Sequence, residues 1–122
     1  MKILKHCYTD IIGMANLTTK RSGLPADIWS EHKGIQRQVS HKFTPRVKVR
    51  GKGYEASISI ERVPIIKAVS KKLTHSESKD LKDCMDYVGR NYDLFLKHFS
   101  DEDDEFDDED LFDALRSRGE YK

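Results

Sequence analysis

The sequence is poor in cysteine and has no paired metal-binding motif, which excludes two classes of small protein. It contains two cysteines, Cys7 and Cys84, among 122 residues, with no CxxC spacing. Small disulfide-stapled domains carry more cysteines, so both thiols are predicted to be buried and reduced. The five histidines are scattered and lack the paired Cys/His spacing of a structural zinc site. We therefore expect no metal and no other cofactor.

Long apolar runs are also missing. No run approaches the roughly 20 residues that a transmembrane helix requires. Polar side chains at Lys5, His6 and Asp10 interrupt the first ten residues, which excludes a signal-peptide core there. Charged residues make up 35% of the chain, and the mean hydropathy is −0.71. These features predict a soluble, cytoplasmic protein with no membrane partner.

None of the compact catalytic motifs is present: no nucleophile elbow, P-loop, HExxH or dinucleotide fingerprint. One set of residues is still a candidate catalytic group. His41, Arg46 and Glu55 could transfer protons and bind phosphate, as a toxin-like ribonuclease requires. Cross-strand ion pairs, Arg46 with Glu61 and Arg50 with Glu55, explain the charged residues without chemistry. The prediction is a protein that is not an enzyme, with a small ribonuclease as an alternative.

Alternation of apolar and charged residues predicts an antiparallel β-hairpin after residue 45. Val47 and Val49 share one face of its first strand. Gly51 and Gly53 supply the turn, because glycine adopts positive φ at little cost. The second strand continues the apolar face through Tyr54, Ala56, Ile58 and Ile60. The hairpin therefore has one apolar face and one charged face.

A helical stripe follows the hairpin. Thr74 and Glu77 have the spacing of a capping box, which predicts a helix start there. Apolar residues then recur every three or four positions, and they predict a long amphipathic helix over residues 75–99 that Gly89 or Asn91 could kink or split. The stripe consists of Leu81, Cys84, Met85, Val88, Tyr92, Phe95, Leu96 and Phe99. We expect an α+β fold in which about three to four antiparallel strands pack against this helix.

The remaining segments give weaker signals. The apolar spacing of residues 2–14 is consistent with either a helix or an edge strand. Residues 16–23 are predicted to be a polar loop, and Ile28 with Trp29 marks a short strand. Residues 62–73 are predicted to be an apolar connector that forms a short strand or a helical turn.

The net charge of +1 conceals a strong polarity along the chain. Residues 1–75 contain 15 lysines and arginines against 5 acidic residues, whereas residues 100–122 contain 3 against 11. We therefore predict one α+β domain over residues 1–99 and an acidic tail over residues 100–122. The tail ends in a short helix at about residues 108–117, with acidic residues near its positive N-terminal end.

The basic residues are concentrated before and within the hairpin. The candidate nucleic-acid or acidic-partner site consists of Lys33, Arg37, Lys42, Arg46, Lys48, Arg50 and Lys52. Such a stripe could follow a phosphate backbone, and Trp29, Phe43 and Tyr54 could stack on bases if exposed. It could also be a solvated sheet face paired with acidic residues, or a contact for an acidic protein.

The acidic tail is the second candidate binding site. Its proposed partner-binding residues are Asp101, Glu102, Asp103, Asp104, Glu105, Phe106, Asp107, Asp108 and Phe112. A spaced array of carboxylates could mimic a nucleic-acid backbone, with the two phenylalanines as apolar anchors. The same array could instead fold over the basic residues and mask them, or act only to increase solubility.

Three segments together resemble a family of small uncharacterised phage and bacterial proteins. They are SGLPADIW at residues 22–29, HKFTPRVKV at residues 41–49 and YVGRNYDLFLKHF at residues 87–99. The family pattern is TGLPxxIW, a basic HxPRIKV strand and a WIxxN…LLxxW helix. His41 stands further from the Pro-Arg pair than in that pattern, and Tyr87 and Phe99 replace the tryptophans. The resemblance implies a domain of unknown function whose relatives lie in operons resembling toxin–antitoxin pairs.

Charge and resemblance together predict a non-enzymatic interaction protein encoded by a phage or mobile element. Its expected partner is a host nucleic-acid-handling complex, which it would inhibit through charged surfaces, as an anti-CRISPR or other anti-defence protein does. The first alternative is direct binding of DNA or RNA by residues 33–52, with the acidic tail as a regulator. The second is the toxin-like ribonuclease. The oligomeric state stays open.

Overall fold

The computed structural model describes residues 14–31, 45–100 and 106–119. Within these ranges the chain forms five strands and four helices. The strands are β1 (Met14–Leu17), β2 (Asp27–Glu31), β3 (Arg46–Gly51), β4 (Tyr54–Ser59) and β5 (Ile66–Val69). The helices are α1 (Thr19–Ser22), α2 (His75–Arg90), α3 (Tyr92–Ser100) and α4 (Asp108–Arg118). The protein has an α+β fold, as the sequence predicts.

All five strands belong to one antiparallel sheet with the order β1-β2-β3-β4-β5. The sequence predicts only three or four strands because the two edge strands give almost no periodic signal. In β1, Ala15 and Leu17 are the buried positions, which is too short an alternation to stand out. All four residues of β5 are exposed, so that strand shows no alternation at all.

The segment predicted to be a polar loop, residues 16–23, is instead structured. It contributes the end of β1 and the single turn α1. The Thr18 hydroxyl accepts a hydrogen bond from the Arg21 amide at the start of this turn. Gly23, at φ 79°, ends it in the left-handed conformation that glycine tolerates. Most of the predicted N-terminal element, residues 2–13, lies outside the described residues.

The predicted β3–β4 hairpin is confirmed, with Gly51 opposite Tyr54 and a two-residue turn between them. Gly53 has a φ of 85°, which explains why glycine suits this turn. The register also places Arg50 opposite Glu55, as expected. It places Arg46 opposite Ser59, which lies two residues before Glu61. The predicted cross-strand pairing of Arg46 with Glu61 is therefore wrong by two residues.

Helices α2 and α3 cover one face of the sheet. The predicted capping box at Thr74 and Glu77 is present, with both reciprocal hydrogen bonds formed. The predicted helix over residues 75–99 is split into two at Asn91. The Asn91 side-chain amide donates to the Tyr87 carbonyl at 3.0 Å. The same carbonyl also accepts a hydrogen bond from the Asn91 backbone N–H at 3.1 Å, so Asn91 closes the last turn of α2.

Helix α4 packs against α3 and extends the same hydrophobic cluster. Leu111 and Leu115 are buried at 0% and 2% exposure. The helix begins with a capping box between Asp107 and Asp110. Its last turn is fastened by Arg118, whose guanidinium donates two hydrogen bonds of 2.8 and 2.6 Å to the Asp93 carboxylate. The predicted terminal helix is therefore present and contributes to the core.

Candidate functional site

Strand β3 places three basic side chains on the sheet face opposite the helices. Val47 and Val49 are buried against the helices, at 1% and 0% exposure. Side chains alternate along a strand, so the residues between and beside them point to the other face. We call this group, together with its cross-strand neighbour Trp29, the basic sheet face; its members are Trp29, Arg46, Lys48 and Arg50.

Trp29 lies at the centre of the basic sheet face. It is half-buried and sits opposite Lys48 on the neighbouring strand. The Arg50 guanidinium lies 5.7 Å from the Trp29 ring centroid, within cation–π range. The indole Nε1 of Trp29 and the Oδ1 of its cross-strand neighbour Asn16 are buried without a hydrogen-bond partner. Buried polar atoms are normally bonded, and these two lie out of reach of a ligand unless the surrounding side chains move.

The three cations of the basic sheet face differ in whether an acidic side chain forms an ion pair with them. Arg50 donates from Nε to a Glu55 carboxylate oxygen at 2.9 Å, and both side chains are about half exposed. An exposed pair of this kind contributes about 1 kcal/mol or less, so a ligand could displace it. Arg46 and Lys48 have no acidic partner among the residues that the structure describes. An anionic ligand would therefore break no ion pair with a described residue at these two positions.

Beside Lys48 the outer surface forms a shallow depression of about 230 Å³. Its lining includes the polar side chains of Glu55, Ser57 and Ser70. Lys52, which belongs to the predicted basic set, is exposed in the hairpin turn. Together these positions extend the polar surface along the whole β3–β4 hairpin.

Several predicted members of the site are not placed. Lys33, Arg37 and Lys42 lie outside the described residues, as do His41 and Phe43. The ribonuclease hypothesis is therefore left with Arg46 and Glu55. The register places the Cα atoms of these two residues four residues apart along the hairpin, a separation of about 13 Å. The Glu55 carboxylate accepts its hydrogen bond from Arg50, not from Arg46.

Tyr54 cannot serve as the stacking aromatic that the sequence suggests. Its side chain is 4% exposed and belongs to the core, because its ring lies over Gly51 at the start of the turn. Burial, followed by the Cys84 thiol and the Asp80 and Glu77 carboxylates, raises the pKa of Tyr54 to about 12. Trp29 is therefore the predicted stacking residue that the described part of the chain places on the outer face.

The described residues of the acidic tail have contacts within the protein. Asp107 caps α4, and Phe112 is 9% exposed beneath the Arg21 guanidinium, which lies 4.5 Å from its ring centroid. Phe106 is half-buried, with the Lys97 ammonium 4.6 Å from its ring centroid. Both predicted anchors thus contribute to the fold. Residues 101–105 lie outside the described residues.

A chain of three polar side chains links the sheet to α3 and α4. The sequence analysis names one of them, Asp108, as a partner-binding residue and does not single out Ser30 or His98. His98 is fully buried; its Nδ1 lies 2.9 Å from Ser30 Oγ and its Nε2 lies 2.8 Å from Asp108 Oδ1. The order resembles a hydrolase triad, but Ser30 is only 2% exposed. A nucleophile must reach its substrate, so we assign these bonds to fastening the helices. The sequence signal for Ser30 and His98 is a polar residue at an inward position of an apolar pattern, whereas Asp108 lies partly exposed at the start of α4.

Burial also determines the protonation state of Cys84, the one cysteine among the described residues. Cys84 is 0% exposed, and desolvation, followed by the nearby carboxylates Asp83 and Asp80, raises the pKa of its thiol to about 12. The thiol is therefore protonated at neutral pH. The exposure of 0% confirms the predicted burial of Cys84. The predicted burial of Cys7 concerns a residue outside the described ranges.

The described part of the chain has neither a cluster of metal-binding side chains nor a membrane-spanning helix. Residues 14–31, 45–100 and 106–119 hold no group of three or more His, Cys, Asp or Glu side chains that could bind a metal. Over the same ranges, no helix has the length and apolar character required to cross a bilayer.

No protein-family model, no curated protein and no solved structure matches this chain. The resemblance to small phage and bacterial proteins therefore stays a prediction.

Proposed function

We propose that this chain is a non-enzymatic binding protein that engages single-stranded nucleic acid through the basic sheet face. The observation that carries the proposal is the placement of Arg46, Lys48 and Arg50 beside Trp29 on the sheet face opposite the helices. Cationic side chains next to a partly exposed aromatic ring are the two elements that single-strand binders combine. The phosphates would contact the cations, and one base would stack on the indole.

An open sheet favours a single strand over a duplex. Duplex grooves are read by an element that protrudes into them, typically a helix or a two-stranded ribbon. A broad sheet face instead accommodates bases that are unstacked and splayed over it. If three phosphates are contacted, the affinity should fall with rising salt with a log–log slope of about −2.

The test is fluorescence anisotropy with labelled single-stranded DNA and RNA and a DNA duplex, at low and physiological ionic strength. The double variant Arg46→Gln, Lys48→Gln removes two charges from the basic sheet face. Lys67→Gln, Lys72→Gln removes the same charge from β5 and the loop after it, and is the matched control. We expect the first variant to bind about tenfold more weakly, and the control to bind nearly as well as the wild type.

A second readout reports the stacking directly. Trp29 is the only tryptophan of the chain, so its emission should be quenched as a single strand binds. Equal losses of affinity in the two double variants would show binding to net charge alone and would refute the proposed site. So would binding that leaves the Trp29 emission unchanged.

The second candidate is inhibition of a host nucleic-acid-handling complex by the acidic residues. Glu109, Asp110 and Asp113 are exposed on α4, where the fold holds them at helical spacing. Such a fixed array favours mimicry of a phosphate backbone, and it fits an anti-CRISPR or other anti-defence protein of phage or mobile-element origin. This candidate ranks below nucleic-acid binding because Phe106 and Phe112 contribute to the protein's own packing.

Point substitutions test this candidate better than truncation. A chain ending at Ser100 would lose α4 and expose the core that α4 covers. The variant Glu109→Gln, Asp113→Asn keeps the capping box intact while removing two exposed charges. In bacteria with active CRISPR immunity, the wild-type chain should restore phage plaques and this variant should restore fewer. Equal plaque numbers from both would refute a role for the α4 carboxylates.

A further inference from the structure

The free edge of the sheet is distinct from the basic sheet face, and its composition is unusual. Among the described strands, β5 pairs only with β4 and ends the sheet. The large hydrophobic side chains that the described part of the chain exposes are all in or next to β5; they are Val63, Ile65, Ile66 and Val69, at 76%, 51%, 47% and 44% exposure. Natural proteins protect such edges with short strands, lysines and bulges; β5 is four residues long, carries Lys67 and has a register shift opposite Ser57 and Ile58. Its large apolar side chains are nevertheless exposed, which is typical of an interaction surface.

The backbone of β5 presents unpaired hydrogen-bonding groups at the same place. The Ser70 amide donates to the Glu55 carbonyl, and the Ser59 amide donates to the Ile65 carbonyl. Hydrogen-bonded and non-hydrogen-bonded pairs alternate in an antiparallel ladder. Val69 and Ile66 each lie next to a bonded pair, on either side of the register shift at Ser57 and Ile58, so the N–H and C=O groups of both residues point away from β4. An added strand must follow the same shift to pair with both residues. These groups can receive another strand.

The exposed apolar side chains of β5, Ile66 and Val69, lie on the helix-facing side of the sheet. Val69 is opposite Ala56, and Ile66 is opposite Ile58; Ala56 and Ile58 are both buried. Helix α2 lies over β3 and β4, so it does not cover Ile66 and Val69. An added strand would therefore place its own apolar side chains on these two residues, beside α2.

A groove continues this surface toward the C-terminal half of α2. It has a volume of about 760 Å³, and its lining includes the apolar side chains Val63 and Met85. Three cations and one carboxylate also line it: Arg62, Lys82, Arg90 and Asp86. The Arg62 guanidinium donates to the Tyr92 hydroxyl at 3.2 Å, which holds that cation at the rim. A strand that leaves the β5 edge could extend into this groove.

The charge of the edge selects its partner. Between Glu61 and Glu77 the sequence has no acidic residue, and its basic residues there are Arg62, Lys67, Lys71 and Lys72. Lys71 forms an ion pair of 3.0 Å with Glu77. Lys67 and Lys72 have no acidic partner in the ranges that the structure describes. A ligand that supplies carboxylates would therefore be attracted to this edge.

We propose that the β5 edge binds an extended acidic segment of a partner protein, which adds to the sheet as a strand alongside Ile66–Val69. Its backbone would pair with the free groups of Ile66 and Val69, and its carboxylates would face Lys67 and Lys72. This is strand addition, in which backbone hydrogen bonds supply affinity and alternate side chains supply specificity. A second copy fits less well, because antiparallel pairing of two β5 strands would bring the lysines of both copies together.

The test uses the full chain, labelled with ¹⁵N, and a synthetic peptide in which glutamate alternates with valine. The expected result is a set of amide shifts centred on residues 65–72. A peptide in which lysine replaces every glutamate is the charge control and should cause much smaller shifts. Shifts of equal size with both peptides, or shifts centred elsewhere, would overturn the proposal.

Two variants separate the backbone contribution from the charge contribution. Val69→Pro removes an N–H that points away from β4, a position where an edge strand tolerates proline. It should abolish peptide binding while the amide spectrum remains that of a folded protein. Lys67→Gln, Lys72→Gln should weaken peptide binding about tenfold. If Val69→Pro disturbs the fold, the lysine variant still decides the outcome, because unchanged binding would refute the charge contact.

The same variants distinguish this inference from the proposed function. The Arg46→Gln, Lys48→Gln variant should bind the peptide normally and bind nucleic acid about tenfold more weakly. The Lys67→Gln, Lys72→Gln variant should bind nucleic acid nearly as well as the wild type and bind the peptide about tenfold more weakly. Sedimentation across a range of concentrations tests for a second copy on the edge. A dimer that Val69→Pro converts to a monomer would replace the acidic partner with self-association and overturn the proposal.

Discussion

Replacing Leu111 with alanine tests whether α4 is part of the cooperative fold. Leu111 is fully buried and belongs to the cluster that includes the sheet and α2. A buried leucine replaced by alanine leaves a cavity that its neighbours fill only partly, at a cost of about 2–5 kcal/mol. We expect about 3 kcal/mol, in the lower half of that range, because α4 contacts mainly α3 and can shift toward the space.

The change is large compared with the stability of a small domain. Such domains are stable by about 5–15 kcal/mol, so the loss removes a substantial fraction of the total. It corresponds to a decrease in Tm of roughly 12 °C for a chain of this length. Urea unfolding followed by Trp29 emission and by far-ultraviolet circular dichroism measures the free energy of unfolding with two independent probes.

Ser117→Ala on the exposed side of the same helix is the matched control. It should change the free energy of unfolding by about 0.5 kcal/mol or less. If Leu111→Ala behaves like this control, α4 does not contribute to the cooperative unit, and the reasoning from burial fails. A transition in which the Trp29 signal and the helical signal separate would lead to the same conclusion.

Two further substitutions test contacts elsewhere in the helices. Alanine in a helix interior usually stabilises it by about 1 kcal/mol over glycine, but a Cβ at Gly89 would collide with the Arg62 carbonyl oxygen. Gly89→Ala should therefore lower the urea midpoint, and a higher midpoint would contradict the packing. Hydrogen bonds from Arg118 lower the pKa of the Asp93 carboxyl from its usual 3.8. The folded state thus favours the charged form, and stability from this pair should be complete above about pH 4 and lost as the pH falls further. Asp93→Asn should flatten that acid decline, and an unchanged profile of urea midpoint against pH would refute the link.

In the acidic C-terminal segment, the composition predicts one role and the packing shows another. Its charge predicts a solvated tail that binds partners. In the structure, Leu111 and Leu115 on the same segment are buried, and Asp107 caps the helix that carries them. Charge alone could not reveal this role, because a short helix with a few apolar residues is stable only when another surface covers them.

The sequence by itself determined the features that depend on neighbouring residues. Alternation in residues 46–60 sets the two faces of the β3–β4 hairpin, and Thr74 with Glu77 sets the start of α2. The outward direction of Arg46, Lys48 and Arg50 follows from the same alternation. These predictions hold because period-two patterns and capping boxes depend on local geometry and do not require knowledge of the rest of the fold.

Only the tertiary structure decided the features that depend on distant residues. β1 and β5 are strands because they hydrogen-bond to β2 and β4, and their own sequences carry little periodic signal. Trp29 became part of the basic sheet face because β2 lies beside β3, and Tyr54 was removed from it by packing under the helices. The buried bonds from His98 to Ser30 and Asp108 join three separate elements. Such contacts form only when the chain has folded, so no local pattern records them.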